Sequence, residues 1–475
     1  MMAARFAKLK DEWLLRGWTD IPWSLVNWRT GAFYRLRQDG FYVAQSCDGQ
    51  TDFTSPVFLP RHRAWLQQFL TEGIAEECRQ GEEPAPAQEY RQADHELIRG
   101  IQWAVTGRCN LNCRHCYMDA PSGQPGEIPF LEMKRLLDKF EQANITEVSL
   151  TGGEPFMRKD LLDLIRQLTA RRIRLTDIYT NATLISDVML QELQKLEVRP
   201  VFRISFDGCG RHDLMRGTAG VEAVVLDAIQ RIRTAGFAVA VTTCLDKTNL
   251  DCLMPTYEQM KALDLYAWGI GRPQPVGCGR TMTTCLSLQE MVKPCEELLE
   301  NWLADGRPFM IGLEAFYSGA KGGEGDGKQA VPVSRDFSAA DYTCSSCRQW
   351  PYLAPDGKLM PCISYGDTPW SDRLPSLLET DFAAAWNDPA LRFLLDMKKG
   401  DVLAHNSECS ACPLLKQCGT GCRTSALIGS GDLLAKDTIA CELWQGGYKK
   451  YFTGKAAAGE QAKGNQASMR GDKQQ

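Results

Sequence analysis

Residues 106–117 read TGRCNLNCRHCY and place three cysteines, Cys109, Cys113 and Cys116, on one short segment. The segment follows Ile101–Thr106, a short and mostly apolar run that predicts a β-strand. Three thiolates on one loop are able to hold three irons of a cubane cluster and leave the fourth iron without a protein ligand. This spacing therefore predicts an iron–sulfur centre with an open coordination position at the end of a strand.

Zinc is the alternative metal for this loop, because zinc takes four nitrogen or sulfur ligands and His115 is a candidate fourth ligand. However, His115 lies between Cys113 and Cys116, where joint tetrahedral ligation would be cramped. We therefore favour the iron–sulfur interpretation.

The chain around the triplet alternates between strand and helix patterns, which indicates the α/β class. Helical periodicity separates the predicted strands. Besides residues 101–106, strands are predicted at 147–150, 175–179, 201–206, 237–242 and 266–270. Such alternation is typical of a parallel sheet with right-handed crossovers, either an open doubly wound sheet or a barrel. Six strands suit a partial (β/α)6 TIM-like barrel, which we predict for residues 93–313.

Small polar residues follow the ends of several predicted strands, where the loops of a barrel build an active site. Glycines there allow a close approach of the backbone to a ligand, and a carboxylate is able to receive an ammonium group. Three further polar residues near these strand ends fit a structural role, in salt bridges or helix caps, as well as a role in the site: Asp207, His212 and Arg216. The candidate ligand-binding residues at these strand ends are Gly152, Gly153, Glu154, Thr180, Asn181 and Ser205.

These motifs resemble the radical S-adenosylmethionine (SAM) superfamily. Its cysteine motif has an aromatic residue or histidine before the third cysteine, as His115 is here, and its Gly-Gly-Glu-Pro motif matches residues 152–155. The resemblance implies that SAM binds the open iron of a 4Fe-4S cluster and that one electron cleaves it to methionine and a 5′-deoxyadenosyl radical, which abstracts a hydrogen atom. It further implies that His115 packs near the adenine and that residues 152–154 contact the amino group. The remaining cofactor contacts would be Thr180, Asn181, Ser205 and Arg216.

The C-terminal region, residues 314–452, is irregular and rich in cysteine. Residues 409–441 alone hold five of the nineteen cysteines of the chain, where even spacing would place about one or two, so a metal site is indicated. Ligation by four cysteines suits either iron–sulfur cubanes or structural zincs, and spacing alone does not separate them.

The order of these cysteines resembles the SPASM domain of radical SAM peptide maturases, a twitch-type extension with two auxiliary clusters. Gly357, five positions before Cys362, belongs to the same pattern. By that resemblance, one auxiliary 4Fe-4S cluster would bind Cys344, Cys347, Cys362 and Cys422. The other would bind Cys409, Cys412, Cys418 and Cys441. The cysteines without ligand spacing, which we expect to be small buried hydrophobes, are Cys47, Cys78, Cys209, Cys244, Cys252, Cys278, Cys285 and Cys295.

Residues 1–92 predict a small α+β domain. Residues 24–28 and 32–36 flank a plausible tight turn, and residues 61–70 carry helical periodicity. The region is similar to winged-helix-like domains that recruit leader peptides, which would bind by adding a strand to the hairpin edge. The alternative is that this domain has only a structural role, as a cap at the N-terminal side of the barrel domain. At the other end, residues 453–475 have almost no large apolar side chain and predict a disordered tail.

The resemblance spans residues 95–445 and implies maturation of a ribosomally synthesised peptide (RiPP), ending in a thioether or carbon–carbon cross-link or an epimerisation. The implied partners are a peptide substrate with a leader and a flavodoxin- or ferredoxin-like reductant. An anaerobic sulfatase-maturating enzyme is a rival, but that family has an aspartate where this chain has Ile363, directly after Cys362. A non-catalytic iron–sulfur electron carrier or a zinc scaffold is the alternative of a different class.

Composition sets the remaining expectations. The 54 Lys and Arg residues against 59 Asp and Glu residues leave a net charge of −5, which offers no reason to expect a nucleic-acid partner. Residues 1–10 lack the apolar core of a signal peptide, and no stretch offers about 18 uninterrupted apolar residues, so no membrane partner is expected. We expect a cytoplasmic protein, in which nineteen cysteines indicate metal binding rather than disulfides.

Overall fold

The computed structural model describes residues 5–120, 126–322 and 337–458 of the 475-residue chain. The N-terminal part of the chain contains short strands and two helices. In chain order these are β1 (Ala7–Leu9), β2 (Trp13–Gly17), β3 (Ser24–Asn27), β4 (Phe33–Arg35), α1 (Gln38–Ser46), α2 (Pro60–Thr71), β5 (Ala75–Glu77) and β6 (Arg91–Gln92).

These strands form a four-stranded sheet in the order β4-β3-β2-β6 and a two-stranded sheet that pairs β1 with β5. The predicted hairpin is confirmed: β3 and β4 run antiparallel with Leu25 opposite Tyr34. Gly31 closes the hairpin with a φ of +77°, a conformation that glycine adopts without strain. The predicted helix at residues 61–70 is confirmed as α2. A separate apolar core, which includes Phe53 and Phe69, lies beneath this unit.

The central part of the chain alternates strands with helices. Its strands are β7 (Gly100–Ala104), β8 (Glu147–Thr151), β9 (Arg174–Thr180), β10 (Val201–Ser205), β11 (Val239–Cys244), β12 (Ala267–Gly271) and β13 (Met310–Leu313). Its helices are α3 (Phe130–Gln142), α4 (Leu161–Ala170), α5 (Asp187–Lys195), α6 (His212–Arg216), α7 (Val221–Thr234), α8 (Leu253–Ala262) and α9 (Leu288–Ala304).

All seven of these strands are parallel, and each lies beside its neighbour in chain order. This arrangement confirms the α/β class and the partial barrel, and the sheet continues one strand, β13, beyond the six predicted. The helices cover its outer face: Met133, Leu137 and Phe140 of α3 are fully buried. Side chains alternate along each strand, so the inner face carries smaller and more polar residues such as Ser205, next to fully buried Ile204.

The C-terminal region adds strands to both ends of this sheet. Its strands are β14 (Tyr317–Gly319), β15 (Tyr352–Leu353) and β16 (Leu359–Met360). Its helices are α10 (Ser346–Gln349), α11 (Phe382–Trp386), α12 (Pro389–Leu395), α13 (Lys399–His405), α14 (Ser407–Ser410), α15 (Leu415–Cys418), α16 (Arg423–Ser430) and α17 (Thr438–Gln445). β14 runs antiparallel to β13, and β15 runs parallel to β7. The predicted boundary near residue 314 therefore falls between two strands of one ten-stranded sheet.

Residues 448–458 are helical, and Phe452 stacks on Phe316 with ring centroids 4.9 Å apart. The prediction of a disordered tail from residue 453 is wrong for residues 453–458, because this helix buries both Phe452 and Ala456. The rest of that predicted tail, residues 459–475, lies outside the described residues. In the part of the chain that the structure describes, no helix has the length and apolar composition needed to cross a membrane.

Candidate active site

The three-cysteine loop follows β7 at the carboxyl end of the barrel, where each of its thiols has a hydrogen-bond donor. Asn181 Nδ2 lies 3.9 Å from Cys109 Sγ, and Arg216 Nη1 lies 3.5 Å from Cys113 Sγ. The backbone N–H of Ala120 lies 3.4 Å from Cys116 Sγ. Donors directed at sulfur stabilise thiolates, the form in which cysteine binds a metal. The loop therefore fits an iron–sulfur cluster.

Burial acts against ionisation of these thiols. It raises the pKa of Cys109 to about 11, and it also raises the pKa of Cys116. Thiols with such pKa values are largely protonated near neutral pH, whereas a bound metal deprotonates a coordinating thiol outright. Metal binding to this loop would therefore release protons.

Two glycines let the loop after β8 lie directly against the cysteine loop. A Cβ on Gly152 would lie 2.3 Å from the carbonyl oxygen of Thr106, and one on Gly153 would lie 2.2 Å from that of Arg108. Gly153 N–H donates to Thr106 O at 2.8 Å, and Glu154 N–H donates to Arg108 O at 2.8 Å. The sequence predicted that these glycines let the backbone approach a ligand. In the structure they let it approach the backbone of the cysteine loop instead.

Glu154 is fully buried and joins the ends of β8 and β9. Its carboxylate accepts from Thr180 Oγ1 at 2.7 Å, from Asn181 N–H at 2.7 Å and from Phe156 N–H at 3.1 Å. Burial raises the pKa of Glu154 to about 7, against the opposing effect of these donors. A cationic group beside this carboxylate would be strongly favoured. The structure thus brings Thr180, Asn181 and Glu154 together within one hydrogen-bonded group.

Arg216 forms an ion pair with the fully buried Asp207, with Nε 2.8 Å from Oδ2. Burial pushes the pKa of Asp207 up, but the charges of Arg216, His115 and His212 outweigh it and hold that pKa below its usual value. His212 accepts the Asp207 N–H at 3.0 Å, and burial, with the charge of Arg216, lowers its pKa to about 4. The structure therefore contains the salt bridge between Asp207 and Arg216 that the sequence allowed, and Arg216 also contacts the thiol of Cys113.

His115 and Ser205 have fewer contacts. The Nδ1 atom of His115 is buried and has no hydrogen-bond partner among the described residues, and burial lowers the pKa of this imidazole. Ser205 lies half-buried on β10, opposite Thr242 of β11. A buried polar atom without a hydrogen-bond partner is costly in a folded protein. The Nδ1 atom of His115 therefore marks a place where a ligand would supply the missing hydrogen bond.

The thiol of Cys347 lies within hydrogen-bonding contact of the thiols of Cys344 and Cys362. The β15–β16 hairpin makes this possible: Gly357 closes its turn with a φ of +86°, and a Cβ there would lie 2.5 Å from Leu378 Cγ. Cys422 belongs to the same neighbourhood, because the pKa of Tyr365 is raised by burial and by nearby Cys362, Cys347, Cys422 and Cys344.

The second cysteine set surrounds a cavity of about 100 Å³. Its lining includes Cys409, Cys412, Cys418 and Cys441, the four residues that the sequence grouped together, and also Thr420. Four thiols around a shared volume form a donor set that soft metals and iron–sulfur clusters accept. The cysteines of the first set, Cys344, Cys347, Cys362 and Cys422, are not among the residues that line this cavity.

Of the remaining cysteines, Cys278 contacts the candidate site. Its N–H donates to Cys116 O at 2.9 Å, and its thiol lies 3.1 Å from Asp119 Oδ1. Sequence spacing did not connect Cys278 to the triplet, because it lies far along the chain, after β12. Cys47, Cys252 and Cys295 are buried, as expected of small apolar side chains. The other five of these cysteines are only partly buried, contrary to that expectation: Cys78, Cys209, Cys244, Cys278 and Cys285.

Comparisons with known proteins agree with this geometry. Residues 103–260 match the family model of the radical SAM superfamily. The AdoMet-dependent heme synthase of Methanosarcina barkeri is 27% identical over 355 residues, which cover 71% of this chain and 95% of that protein. The PqqA peptide cyclase of Granulibacter bethesdensis is 26% identical over 356 residues, which cover 72% of this chain and 87% of that protein.

The fold likeness extends further than the family match. The structure of Streptococcus suis SuiB bound to its precursor peptide SuiA superposes with a TM-score of 0.64 at 14% identity, covering 92% of this chain and 100% of that one. At that identity the likeness concerns the fold alone. The matched residues contain both the cysteine loop after β7 and the buried carboxylate after β8. Residues 103–260, about a third of the chain, are therefore similar to the radical SAM superfamily.

Proposed function

We propose that this protein is a radical SAM enzyme that modifies a ribosomally made peptide, by forming a thioether or carbon–carbon cross-link or by epimerisation. The observation that carries the proposal is the pairing of a three-thiol loop with a fully buried carboxylate at the same rim of the barrel. An electron carrier needs four ligands for every iron and has no use for a buried anion beside an open position.

Cys109, Cys113 and Cys116 would hold the cluster to which SAM binds. The bound cofactors supply one-electron chemistry that removes a hydrogen atom from a substrate C–H bond. Glu154 would hold the ammonium group of SAM, because a cation would offset the cost of burying its charge. The unpartnered nitrogen of His115 would receive a polar edge of the adenine.

The residues between these groups would position the cofactor rather than react with it. Gly152 and Gly153 set the loop after β8 against the cysteine loop, so that the carboxylate and the thiols keep a fixed separation. Thr180 and Asn181 hold the carboxylate, while Arg216 holds Cys113. Ser205 would contact SAM from the inner face of β10.

Two auxiliary 4Fe-4S clusters complete the proposal. Cys344, Cys347, Cys362 and Cys422 would bind one of them. Cys409, Cys412, Cys418 and Cys441 would bind the other, in the cavity that they line. A flavodoxin- or ferredoxin-like protein would supply the electrons, because clusters of this kind need a low-potential donor.

The N-terminal unit would bind the leader of the peptide. β4 is the edge strand of its sheet, and in the β3–β4 ladder Tyr34 directs its N–H and C=O groups towards β3. By alternation, Phe33 and Arg35 direct theirs away from the sheet. Tyr34 and Arg35 are exposed on this edge. An extended peptide would add to it as a further strand.

A tetrapyrrole is the second candidate substrate, because the aligned relative from Methanosarcina barkeri is a heme synthase. Sequence coverage does not separate the two substrates, because the heme synthase and the PqqA peptide cyclase align with 71% and 72% of this chain. The fold of SuiB, a protein seen with a precursor peptide, covers 92% of the chain and supports the peptide. Coverage of that extent must include part of the N-terminal unit.

The test is to coexpress the enzyme with the short peptides encoded beside it and to measure their masses. We expect a loss of two hydrogens for a cross-link. For an epimerisation we expect an unchanged mass in ordinary water and incorporation of deuterium when the reaction runs in deuterium oxide. Anaerobically reconstituted protein should hold about twelve irons, four for each of three clusters, and its electron paramagnetic resonance (EPR) spectrum should change on addition of SAM. Conversion of a tetrapyrrole with no change in any peptide would favour the second candidate, and indifference of the spectrum to SAM would refute both.

A further inference from the structure

Arg423 is a buried cation that directly follows Cys422, at the first position of α16. Its Nη1 donates to the carbonyl oxygens of Leu433 and Ala435, each at 2.9 Å, and its Nη2 donates to that of Thr420. Its Nε is buried and has no hydrogen-bond partner among the described residues. The guanidinium therefore has three neutral acceptors and one unsatisfied donor.

Arg423 lies near the carboxylate of Asp437 and near thiols of both cysteine sets. It interacts electrostatically with Cys422 of the first set and with Cys409 and Cys418 of the second. Asp437, the nearby carboxylate, is itself committed to ligand-bearing segments: it accepts the N–H of Cys422 at 2.8 Å and caps α17, the helix that carries Cys441. Arg423 thus directly follows Cys422 of the first set and donates to Thr420, a residue that lines the cavity of the second set.

Thr420 offers a second unsatisfied group, in the cavity of the second set. Its side chain is 2% exposed, lines the four-cysteine cavity and leaves Oγ1 without a partner among the described residues. Its φ of +77° is a left-handed conformation that a β-branched residue rarely adopts. A threonine held in that conformation, with an unpartnered hydroxyl in a residue that lines a four-cysteine cavity, points to a ligand that accepts a hydrogen bond.

We propose that Arg423 is the buried cation shared by both auxiliary clusters, that Thr420 donates a hydrogen bond to the cluster of the second set, and that both groups favour cluster reduction. The inference rests on the proposed function, which assigns one cluster to each set. A 4Fe-4S cluster with four thiolates is an anion that gains further negative charge on reduction. A cation in a buried setting stabilises the reduced form more than it would in water, and hydrogen bonds to sulfur act in the same direction.

Redox titration of the reconstituted full chain, followed by EPR, tests this inference. Arg423→Gln removes the charge, and Arg423→Lys keeps it. In the glutamine variant we expect both auxiliary clusters to become harder to reduce, with at least about a tenfold lower reduced-to-oxidised ratio at a fixed potential, equivalent to about 59 mV for one electron. The SAM-binding cluster should keep its midpoint, and the lysine variant should resemble the unmodified protein.

Thr420→Val is the matched variant for the hydroxyl, because valine preserves the shape of the side chain and removes its donor. It should make only one auxiliary cluster harder to reduce. Unchanged auxiliary midpoints in Arg423→Gln with full iron content would overturn the inference. If Arg423→Gln loses iron, restoration of iron and midpoints by Arg423→Lys would support the shared cation, and equal loss in both would refute it. Unmodified protein that holds only about four irons would instead refute the two auxiliary clusters of the proposed function.

Discussion

The guanidinium of Arg216 joins the thiol of Cys113, 3.5 Å from Nη1, to the carboxylate of Asp207, 2.8 Å from Nε. Asp207 is fully buried, and Arg216 is nearly so. A buried charge is tolerated when it is paired, so removal of either partner leaves an expensive group behind. Arg216 therefore contributes both to the stability of the fold, by pairing with Asp207, and to the charge beside the thiol of Cys113.

Arg216→Gln should lower the free energy of unfolding by roughly 3–5 kcal/mol, because it leaves Asp207 buried and unpaired. Anaerobic chemical denaturation of the loaded protein measures this change. The double variant Arg216→Gln/Asp207→Asn is the control, and it should recover part of the loss. A loss below about 1 kcal/mol in the single variant would mean that the pair contributes no more than an exposed salt bridge.

SAM binding should weaken as the pH falls through the pKa of Glu154, which burial raises to about 7. The ammonium group of SAM needs the carboxylate form, and that form is lost below the pKa, so affinity should fall by about tenfold per pH unit there. For the protein without SAM the sign is opposite. A folded-state pKa above the usual 4.5 means that the buried charge costs stability above pH 7, and that this cost is relieved as the pH falls from 7 towards 4.5.

Equilibrium dialysis of SAM at several pH values between about 6 and 8 tests this dependence. Glu154→Gln is the matched variant. It should bind SAM about 10- to 100-fold more weakly at the upper pH, since hydrogen bonds to charged groups contribute about 1.5–3 kcal/mol, and its affinity should not vary with pH. A pH dependence that persists in this variant would assign the titration to another group.

Cys113→Ala should abolish formation of 5′-deoxyadenosine and reduce the iron content from about twelve to about eight per chain. The C-terminal thiols lie on other segments, so their clusters should survive the change. Cys47→Ala is the matched control, because Cys47 is buried in the separate core of the N-terminal unit. Chromatographic assay of 5′-deoxyadenosine and iron analysis give the result. Undiminished cleavage of SAM in Cys113→Ala would rule out the loop as the cluster site.

Gly153→Ala should displace the loop after β8, because the new Cβ would lie 2.2 Å from the carbonyl oxygen of Arg108. We expect at least about a tenfold loss of SAM affinity, as the displacement of Glu154 costs one charged hydrogen bond or more. Gly454→Ala is the control: nothing lies within 4 Å of its added Cβ. SAM affinity in Gly153→Ala equal to that of this control would show that the two loops need no fixed contact.

Arg35→Pro should weaken binding of the leader peptide by about tenfold or more, because proline removes an N–H group that points outward from β4. The β3–β4 ladder should survive, since that N–H makes no bond to β3. Arg35→Ala separates the backbone effect from the loss of the side chain. Fluorescence anisotropy of a labelled leader measures the affinity. Equal binding by the proline and alanine variants would exclude strand addition at this edge.

Strand and helix periodicity predicted most of the barrel, because each element repeats its pattern over neighbouring residues. The sequence did not predict β13, because Met310–Leu313 is short and contains a glycine. The boundary that the sequence predicted at residue 314 does not interrupt the sheet in the structure. β14 and β15 extend the barrel sheet from beyond that boundary, and such pairing between distant segments leaves no local pattern.

The sequence alone predicted which cysteines would bind metal, and it determined where the cysteine loop lies along the chain, because ligand spacing and strand ends are local properties. Only the tertiary structure decided the surroundings of these groups. It buries Glu154 against Thr180, brings Arg216 to Cys113, places Cys278 on the backbone of Cys116 and bonds Arg423 to Thr420 at the cavity of the second cysteine set. Burial and charge at a site depend on which distant segments pack together, and these properties decide the pKa values and the ionic partners of the residues concerned.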